Sequence, residues 1–448
     1  MYKRMAIWLA AVLAALCLSP AAMAEGAAFA VHLESGALLV KADGDAVTNE
    51  GEYFSLYEID CTEEGIRLYA GEKNGAYALV NDDGEALTDF VLQSLEYAHG
   101  KIIFAKGGRM GVMDLSGNIL VQPAYTGLIS CGDGGYLAQK TDPYDDSPDA
   151  VYRIGPDGAE QASGVLITGG LHGMSEGRCP AASADNGLYG YLDTQGKWAV
   201  EPAFEWAGSY AGYRAAAGGE KGMGLISETG EWLFEPEYEY LSYEEGGLAV
   251  CGEGDVIRVL DPGTGALIAE YAGEGVYGHS ASGGAAVVTL NGRTAVVNAS
   301  GEEVFFLEDC RFFGQWAGMD GYAIAGTGTL ENGGAALYRM DGTRLSEFYR
   351  DLMPLGMKDG GMHYVFTQYD VTETAYPELG VSLWDAVPGT YRCGVLSPDG
   401  AELCRFEAEY LSCVGEDRML IDMENGPVFA DFAGTVIRDF GAAEDGAE

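Results

Sequence analysis

A glycine that closes a short turn recurs along the whole chain, and this recurrence constrains the fold more than any other feature. Each glycine ends a turn-forming segment such as Asp193-Thr194-Gln195-Gly196 or Asp114-Leu115-Ser116-Gly117. In such segments the leading Asp, Asn or Ser accepts a backbone hydrogen bond, and glycine adopts the positive φ that the turn needs. The turn glycines are Gly44, Gly84, Gly117, Gly158, Gly196, Gly230, Gly265, Gly301, Gly342, Gly400 and Gly434.

The spacing of the turn glycines predicts small units built from strands alone. Around Gly196, residues 189–193 alternate as one strand and residues 197–200 form the return strand. Two more short strands fit in residues 204–217, and four strands in a unit of about 37 residues leave no room for a helix. The sequence therefore predicts an all-β chain of tandem four-stranded antiparallel repeats, which bury their apolar faces by stacking on their neighbours.

Two further positions recur in step with the turn glycine. Six residues after it, three units carry a proline, namely Pro123, Pro202 and Pro236. Proline cannot donate to a strand ladder, so we expect it at a strand end or in an edge strand. Six residues before the glycine the side chain is small, which predicts that another backbone packs closely there. The small residues are Ala78, Gly111, Gly190, Gly224, Ala295, Ala336 and Gly394.

The composition excludes several classes of protein. The 448 residues carry 69 Asp and Glu against 25 Lys and Arg, a formal charge of −44. Nucleic-acid binding is excluded, because phosphate contacts need clustered basic side chains, and an anionic membrane surface would repel the chain. A hydrophobic fraction of 48% is enough to form a core, so the chain is not disordered.

The first 24 residues have the pattern of a secretory signal. Lys3 and Arg4 are followed by an apolar stretch over residues 6–18, and Ala22-Met23-Ala24 offers a small-x-small cleavage site. We expect the mature chain to begin at Glu25 and to be secreted or associated with the cell envelope. An uncleaved membrane anchor is the alternative; no later segment is apolar for long enough to span a bilayer.

One repeat carries a family resemblance. Residues 189–198 (Tyr-Gly-Tyr-Leu-Asp-Thr-Gln-Gly-Lys-Trp) followed by Glu201-Pro202-Ala203-Phe204 resemble the WG (KWG) repeat of bacterial exported proteins, and residues 231–250 are similar to the rest of that unit. The resemblance is good across roughly residues 100–250 and recurs weakly over most of 38–440. The Trp of the Trp-Gly pair is replaced here, for example by Tyr189, so the chain is a divergent member. The resemblance implies a β-propeller-like layout and export, and it names no activity.

The arrangement of the repeats is left open by the sequence. Ten full units and a half unit exceed the usual number of propeller blades. A single large ring, two smaller propellers and an open superhelical array of β-repeats all remain possible, and we favour the propeller-like forms. The closing half unit, residues 428–439, predicts completion by an N-terminal strand near residues 29–33, as in a closed ring.

The cysteines allow disulfides without requiring them. Nine are present, and eight remain after the signal segment is removed. A chain of this size does not need covalent staples. Cys393 and Cys404 flank the turn at Pro398-Asp399-Gly400, and a shift in strand register would place them diagonally. They are the one pair for which the sequence suggests a bond.

Two insertions supply the candidate binding residues. One lies near residues 141–149 and the other near residues 370–389, at equivalent places between the fourth strand of one unit and the first strand of the next. We expect equivalent loops to emerge on one face and to bind a ligand there; neutral loop variation is the alternative. The candidate residues are Asp142, Asp145, Asp146, Tyr376 and Trp384.

Cofactor and enzyme signatures are weak. The acidic insertion is a candidate for Ca²⁺, although its spacing does not match an EF-hand loop; otherwise we expect no metal or cofactor. Residues 273–278 fit a Gly-x-Gly-x-x-Gly pattern by chance, because no helix is predicted after them. No catalytic residue can be named. Trp198 and Trp232 share one repeat position, which predicts a place in the core.

The sequence thus supports two hypotheses about function. The first is an exported, non-enzymatic repeat scaffold, monomeric, that binds a protein or a component of the cell envelope. The second is a secreted carbohydrate-active protein or hydrolase with a site on one face of the repeats. Neither hypothesis identifies the ligand.

Overall fold

A computed structural model describes residues 28–59, 66–141, 148–315, 319, 321–328, 333–358, 360–376, 381–415 and 417–441. For residues 374–376 and 381–384 it describes the backbone alone. These residues form strands and turns, with no helix among them. None of the described residues form a helix long and apolar enough to cross a membrane. The predicted signal segment, residues 1–24, lies outside the described residues.

The strands are numbered here in chain order. In the N-terminal part they are β1 Ala28–Leu33, β2 Gly36–Lys41, β3 Ser55–Ile59, β4 Leu68–Lys73, β5 Ala76–Asn81, β6 Ser94–Tyr97, β7 Ile102–Lys106, β8 Arg109–Met113, β9 Ile119–Tyr125, β10 Gly127–Ser130, β11 Tyr136–Lys140, β12 Asp149–Ile154 and β13 Glu160–Thr168. The middle strands are β14 Cys179–Ser183, β15 Tyr189–Leu192, β16 Trp198–Phe204, β17 Trp206–Ala207, β18 Arg214–Gly219, β19 Gly222–Ser227, β20 Trp232–Tyr238, β21 Tyr240–Ser242, β22 Ala249–Glu253, β23 Val256–Leu260, β24 Leu267–Ala272, β25 Tyr277–Ala281, β26 Ala285–Leu290, β27 Arg293–Asn298 and β28 Glu303–Leu307. The remaining strands are β29 Cys310–Gly314, β30 Tyr322–Thr327, β31 Gly334–Arg339, β32 Asp351–Lys358, β33 Gly361–Gln368, β34 Val371–Tyr376, β35 Val381–Ala386, β36 Arg392–Leu396, β37 Glu402–Phe406, β38 Ala408–Cys413, β39 Arg418–Met423, β40 Gly426–Asp431 and β41 Val436–Asp439.

The predicted all-β fold of tandem antiparallel repeats is confirmed. A typical repeat is a meander of four strands that pair in chain order, as in β17-β18-β19-β20 and β21-β22-β23-β24. We number the repeats by their turn glycines, so that repeat 6 contains Gly230 and repeat 7 contains Gly265. Repeats 4 and 5 share one seven-stranded sheet, β10 to β16, because β13 closes the first and opens the second.

The turn glycine joins the third and fourth strands of each repeat. All the predicted turn glycines have positive φ, between +70° and +93°. In most of these turns the glycine amide donates the hydrogen bond that closes the turn, as from Gly117 N to Asp114 O at 3.0 Å. The Asp114 side chain caps its turn as predicted, since Oδ1 accepts from the backbone N–H groups of Ser116 and Asn118 at 2.9 and 2.8 Å.

The turn glycine also decides how one repeat packs on the preceding one. A Cβ on Gly230 would lie 2.4 Å from Cγ1 of Val200, which belongs to the fourth strand of repeat 5. A Cβ on Gly301 would lie 2.8 Å from the carbonyl oxygen of Ile268, in the fourth strand of repeat 7. These positions are therefore glycine for two reasons: the backbone conformation and the close neighbour.

The small residue six positions before the turn glycine faces a bulge. A Cβ on Gly190 would lie 2.5 Å from the carbonyl oxygen of Val200, and one on Gly224 would lie 2.6 Å from that of Phe234. The register between the third and fourth strands shifts at both places. The predicted close backbone is thus the fourth strand of the same sheet, bent inward by a β-bulge.

The recurring proline lies in an edge strand, as predicted. Pro202 and Pro236 stand inside β16 and β20, the fourth strands of their repeats, so their missing N–H interrupts no central ladder. Trp232 packs on the core between repeats 5 and 6, with its ring 5.4 Å from that of Phe204 and nearly perpendicular to it. Trp198 packs on the core of repeats 4 and 5.

The chain divides into two compact units. Of the residues that the structure describes, one unit takes those within 75–79 and 87–304, and the other takes those within 28–74, 80–86 and 305–441. In the first of these, adjacent sheets bury their facing residues as predicted, for example Tyr191 and Phe204 against Ile226. Each such side chain contributes about 1.5–3 kcal/mol when fully buried.

In the second unit the first and last repeats pack together. The Phe29 and Phe429 rings lie 6.0 Å apart in a shared core. Arg438 Nη1 donates to Gly44 O at 2.7 Å. A Cβ on Gly44 would lie 3.1 Å from Ile437 Cγ2, which repeats the glycine contact seen between successive repeats.

The predicted exchange of a strand between the two ends of the chain is wrong. Residues 428–439 pair within repeat 11, whose four strands β38 to β41 already form a complete sheet. Residues 29–33 belong to β1, which pairs with β2 in repeat 1. The sheet of repeat 11 therefore lacks no strand that residues 29–33 could supply, and repeats 1 and 11 contact each other through apolar side chains.

The described cysteines are free thiols. Cys393 pairs with Phe406 and Cys404 with Val395, so the register separates the two sulfurs diagonally and no disulfide forms. Burial raises the pKa of the Cys393 thiol to about 12 and that of Cys404 to about 11. Both thiols are therefore protonated and inert at neutral pH.

Candidate functional site

The turn between the second and third strands marks one end of every repeat. We call this end the hairpin edge. In seven repeats the turn contains just two residues, namely Glu34-Ser35, Asn74-Gly75, Gly107-Gly108, Glu220-Lys221, Gly254-Asp255, Asn291-Gly292 and Glu424-Asn425. These short turns hold the edge in a fixed relation to the sheet, because their geometry follows the strand twist.

Both predicted insertions lie at the hairpin edge, in their respective repeats. Residues 141–148 separate β11 from β12, and residues 369–391 separate β33 from β36. The predicted equivalence is confirmed, but the flanking strands were misassigned. They are the second and third strands of one sheet, because the hydrogen bonds continue past each insertion. Residues 328–333 also separate a second strand from a third, β30 from β31, and the sequence did not identify them as an insertion.

The predicted site residues do not form one described cluster. Asp142, Asp145 and Asp146 lie outside the described residues. Tyr376 and Trp384 lie in a separate hairpin, β34-β35, where Tyr376 pairs with Val381 and Trp384 with Glu373. Among the residues that the structure describes, no group of three His, Cys, Asp or Glu side chains could hold a metal ion.

The base of that hairpin is held by a network of backbone and aromatic contacts. Val387 N donates to Asp370 O at 2.9 Å, and Asp370 N donates to Thr390 Oγ1 at 3.0 Å. The rings of Tyr369 and Tyr391 lie 5.1 Å apart. The insertion therefore leaves the sheet from a defined anchor.

Repeats 6 to 8 carry an exposed aromatic ring at one equivalent position. Trp206, Tyr240 and Tyr277 each begin the first strand of a repeat. Each pairs with the residue two places before the hairpin turn, which is Gly218, Gly252 or Thr289. Their exposed fractions are 46%, 44% and 55%. We call these three residues the aromatic row.

Glycine opposite the ring leaves it room at the rim of the sheet. A Cβ on Gly218 would lie 3.2 Å from Trp206 Cβ, and one on Gly252 would lie 3.5 Å from Tyr240 Cβ. The rings therefore rest close to the backbone of the second strand and still present much of their surface to water. Exposed aromatic surface of this kind marks interaction sites in folded proteins.

Acidic side chains surround the aromatic row. Glu205 and Glu239 directly precede Trp206 and Tyr240, and both glutamates are exposed. Glu239 Oε2 accepts from Gly254 N at 3.0 Å, which places its carboxylate at the hairpin turn. A shallow depression at the same edge of repeat 6 is lined by Glu220, Lys221, Glu235, Pro236 and Glu237.

A local signal for this row is present in the sequence, although the row was not predicted from it. Phe204-Glu205-Trp206 and Tyr238-Glu239-Tyr240 both read aromatic, glutamate, aromatic at the junction between repeats. The first ring of each triplet lies in the fourth strand and the second begins the next sheet. Phe204 is buried and Trp206 is exposed, a difference that depends on the pairing of the strands.

The hairpin edge already holds cations of this chain in two other repeats. Lys140 Nζ lies 4.5 Å from the centre of the Tyr152 ring and 2.6 Å from Glu160 Oε2. Burial alone would raise the pKa of Glu160, but hydrogen bonds from Lys140 and Tyr125 outweigh it and the pKa is lowered. The carboxylate is therefore charged at neutral pH. At this edge a lysine of the chain thus lies over an aromatic ring and also pairs with a glutamate.

Comparisons with known proteins agree with the repeat organisation. The family described as WG containing repeat matches residues 189–213 and 223–250. These residues are similar to that repeat family. No curated protein matches the chain.

Several solved structures show weak similarity. The computationally designed Ika8 protein is 16% identical at a TM-score of 0.28, covering 62% of this chain and 92% of its own. BamB from Moraxella catarrhalis is 13% identical at a TM-score of 0.30, covering 70% of this chain and 91% of its own. Hsv2p from Kluyveromyces lactis is 10% identical at a TM-score of 0.30, covering 66% of this chain and 97% of its own.

Proposed function

We propose that this protein is an exported, non-enzymatic repeat scaffold that binds another protein or a component of the cell envelope. The observation that carries the proposal is the aromatic row, one exposed ring at the same position in three consecutive repeats. Rings in register provide binding area at a low cost in conformational entropy, because the sheets already hold them.

Export is supported by residues 1–24, whose charged start, apolar stretch and Ala22-Met23-Ala24 site match a secretory signal. Secretion of the chain by a cell, followed by N-terminal sequencing, tests this part. We expect the mature protein to begin at Glu25. A secreted or membrane-bound product that still begins at Met1 would exclude a cleaved signal.

Binding is tested with the purified mature chain and isolated cell-envelope fractions. Three forms are compared: the native chain, a chain lacking residues 371–389, and the row variant W206S/Y240S/Y277S. We expect the row variant to sediment with the envelope fractions much less than the native chain does. If the row variant and the deletion both bind like the native chain, neither region belongs to the binding surface.

A second candidate is a secreted carbohydrate-active protein. The same aromatic row favours it, since Trp and Tyr rings offer an apolar face on which a sugar ring can stack. A screen of the mature chain against soluble glycans and peptides separates the candidates. Turnover of any substrate would replace the scaffold proposal with an enzymatic one.

A further inference from the structure

We propose that the aromatic row binds an extended, cationic segment of a partner protein, whose Arg and Lys side chains lie over Trp206, Tyr240 and Tyr277. The inference rests on the proposed function, because it specifies the partner of the proposed scaffold. It goes beyond that function by naming the chemistry of the bound segment and the surface that receives it.

The position of the rings suits an extended segment. Each ring begins the first strand of its repeat and pairs with the same place on the second strand. One ring per repeat therefore follows the order of the sheets, and a partner that crosses the sheets meets the rings in succession. Tyr213, which is 65% exposed, lies between the first and second strands of repeat 6, at the opposite end from the hairpin edge.

The charge around the row selects a cationic partner. Exposed acids near the hairpin edge of repeats 6 to 8 include Glu205, Glu220, Glu235, Glu237, Glu239, Glu253, Asp255, Glu270 and Glu274, and they outnumber the exposed Lys221 there. Arg258 already forms ion pairs with Glu253 at 3.1 Å and with Glu270 at 3.0 Å. A cation approaching this edge would meet negative carboxylates and the negative faces of the rings together.

Repeats 2 and 4 show that a lysine at this edge can lie over an aromatic ring of the chain itself, although those rings are not at the positions of the aromatic row. Lys73 and Lys140 are the last residues of their second strands. Lys73 Nζ lies 4.3 Å from the centre of the Tyr53 ring and 3.3 Å from Glu52 Oε1. Lys140 Nζ lies 5.1 Å from the centre of the Tyr125 ring, which ends the preceding fourth strand, and 2.6 Å from Glu160 Oε2.

Repeats 6 to 8 lack the lysine at that strand position. Their second strands end in Gly219, Glu253 and Leu290. The cations of repeats 6 to 8 near this edge include Lys221, in the hairpin turn, and Arg258, which is paired with Glu253 and Glu270. The partner would supply the cation over the aromatic row. Polyanions, including nucleic acids and anionic lipid surfaces, would be repelled by the same carboxylates.

The test measures binding of a short fluorescein-labelled peptide of alternating Arg and Gly by fluorescence anisotropy. The mature native chain is compared with the row variant W206S/Y240S/Y277S and with the matched control Y213S, which removes an exposed ring elsewhere. A third variant, E205Q/E235Q/E237Q, removes charge and leaves the rings. Circular dichroism melting confirms that each variant is folded.

We expect the native chain and Y213S to bind the peptide with affinities within about twofold of each other. A cation over an exposed ring is worth about two- to fivefold in affinity, so the row variant should bind at least about tenfold more weakly. The charge variant should bind more weakly at physiological salt, and the difference should shrink at high salt.

The inference is overturned if the native chain does not bind the peptide, or if the row variant binds it as well as Y213S does. If the native chain does not bind the peptide but still sediments with the envelope fractions, the cationic partner is refuted and the proposed scaffold function is retained. Binding to a soluble β-glucan that depends on the row, without binding to the peptide, would replace the cationic segment with a glycan. Failure of both the peptide and the envelope assays would remove the proposed function as well.

Discussion

The substitution Gly230→Ala tests the two roles assigned to the turn glycine. Gly230 has a φ of +82°, and a side chain there costs about 1–2 kcal/mol in backbone strain. The new Cβ would also lie 2.4 Å from Val200 Cγ1 in the preceding repeat, so one of the two must move. Overpacking of this kind costs about 1–3 kcal/mol, and the two effects sum to about 2–5 kcal/mol.

Gly254→Ala is the matched control for backbone strain. Gly254 has a φ of +55° at a hairpin turn, and a Cβ there would meet no atom within 4 Å. We therefore expect Gly254→Ala to cost only the strain, about 1–2 kcal/mol. Urea unfolding followed by tryptophan fluorescence measures both variants, and Trp232 reports locally because it packs between repeats 5 and 6.

The double variant V200A/G230A isolates the clash between repeats. Val200→Ala alone should destabilise the chain by about 1–3 kcal/mol, since the side chain is buried. With the Val200 side chain shortened, Gly230→Ala should lose most of its packing cost, which gives a coupling of about 1–3 kcal/mol. The reasoning is refuted if Gly230→Ala costs no more than Gly254→Ala, or if Val200→Ala does not lessen its effect.

Single side chains at the turns, between repeats and in the core give three more testable expectations. Burial alone would raise the pKa of Asp114, but hydrogen bonds from Asn118 and Ser116 outweigh it and lower the pKa. The charged Asp114 side chain stabilises the fold above its unfolded pKa of about 4, and this stability is lost as the pH falls through its pKa in the folded chain. The urea midpoints of the native chain and of Asp114→Asn should therefore converge on acidification. The Glu176 carboxylate accepts hydrogen bonds from the Gly212 and Tyr213 amides of the next repeat at 2.8 and 2.7 Å. Glu176→Ala should therefore lower the free energy of unfolding by at most about 1.5–3 kcal/mol for each hydrogen bond lost. The control Glu228→Ala removes an exposed ion pair and should lower it by less than about 1 kcal/mol. Because Cys393 and Cys404 are free, a thiol titration of the unfolded protein without reductant should detect both of them. The variant C393A/C404A should lower stability without the loss of about 2–5 kcal/mol that removal of a native disulfide causes.

The features predicted best from the sequence are those that depend on a few neighbouring residues. Asp114 and Gly117 define a turn because one supplies an acceptor and the other a positive φ, and both effects act within four residues. The small residue at Gly224 was also predictable, although its cause, a bulge in the fourth strand, appears only with the strand register. Pro236 marks an edge strand because it lacks an N–H group, whatever the surroundings.

The candidate site was harder to predict, because exposure depends on how the strands pair. Phe204 and Trp206 are both aromatic and lie two residues apart, yet the first is buried between repeats and the second begins a new sheet at its rim. The insertions were placed at equivalent positions, but their flanking strands were misassigned. The predicted unit boundary fell between two strands that hydrogen bonds join as the second and third strands of one sheet.

The order of residues alone determined the repeat, its turns and its all-β character, since turn geometry and strand spacing follow from local chemistry. Tertiary structure alone decided how the ends of the chain meet. Phe29 and Phe429 share a core although 400 residues separate them, and Arg438 donates to Gly44 across a similar interval. Such contacts join residues that are far apart in the chain, so no local pattern encodes them. The same packing left Trp206, Tyr240 and Tyr277 facing water, and so made them candidates for binding.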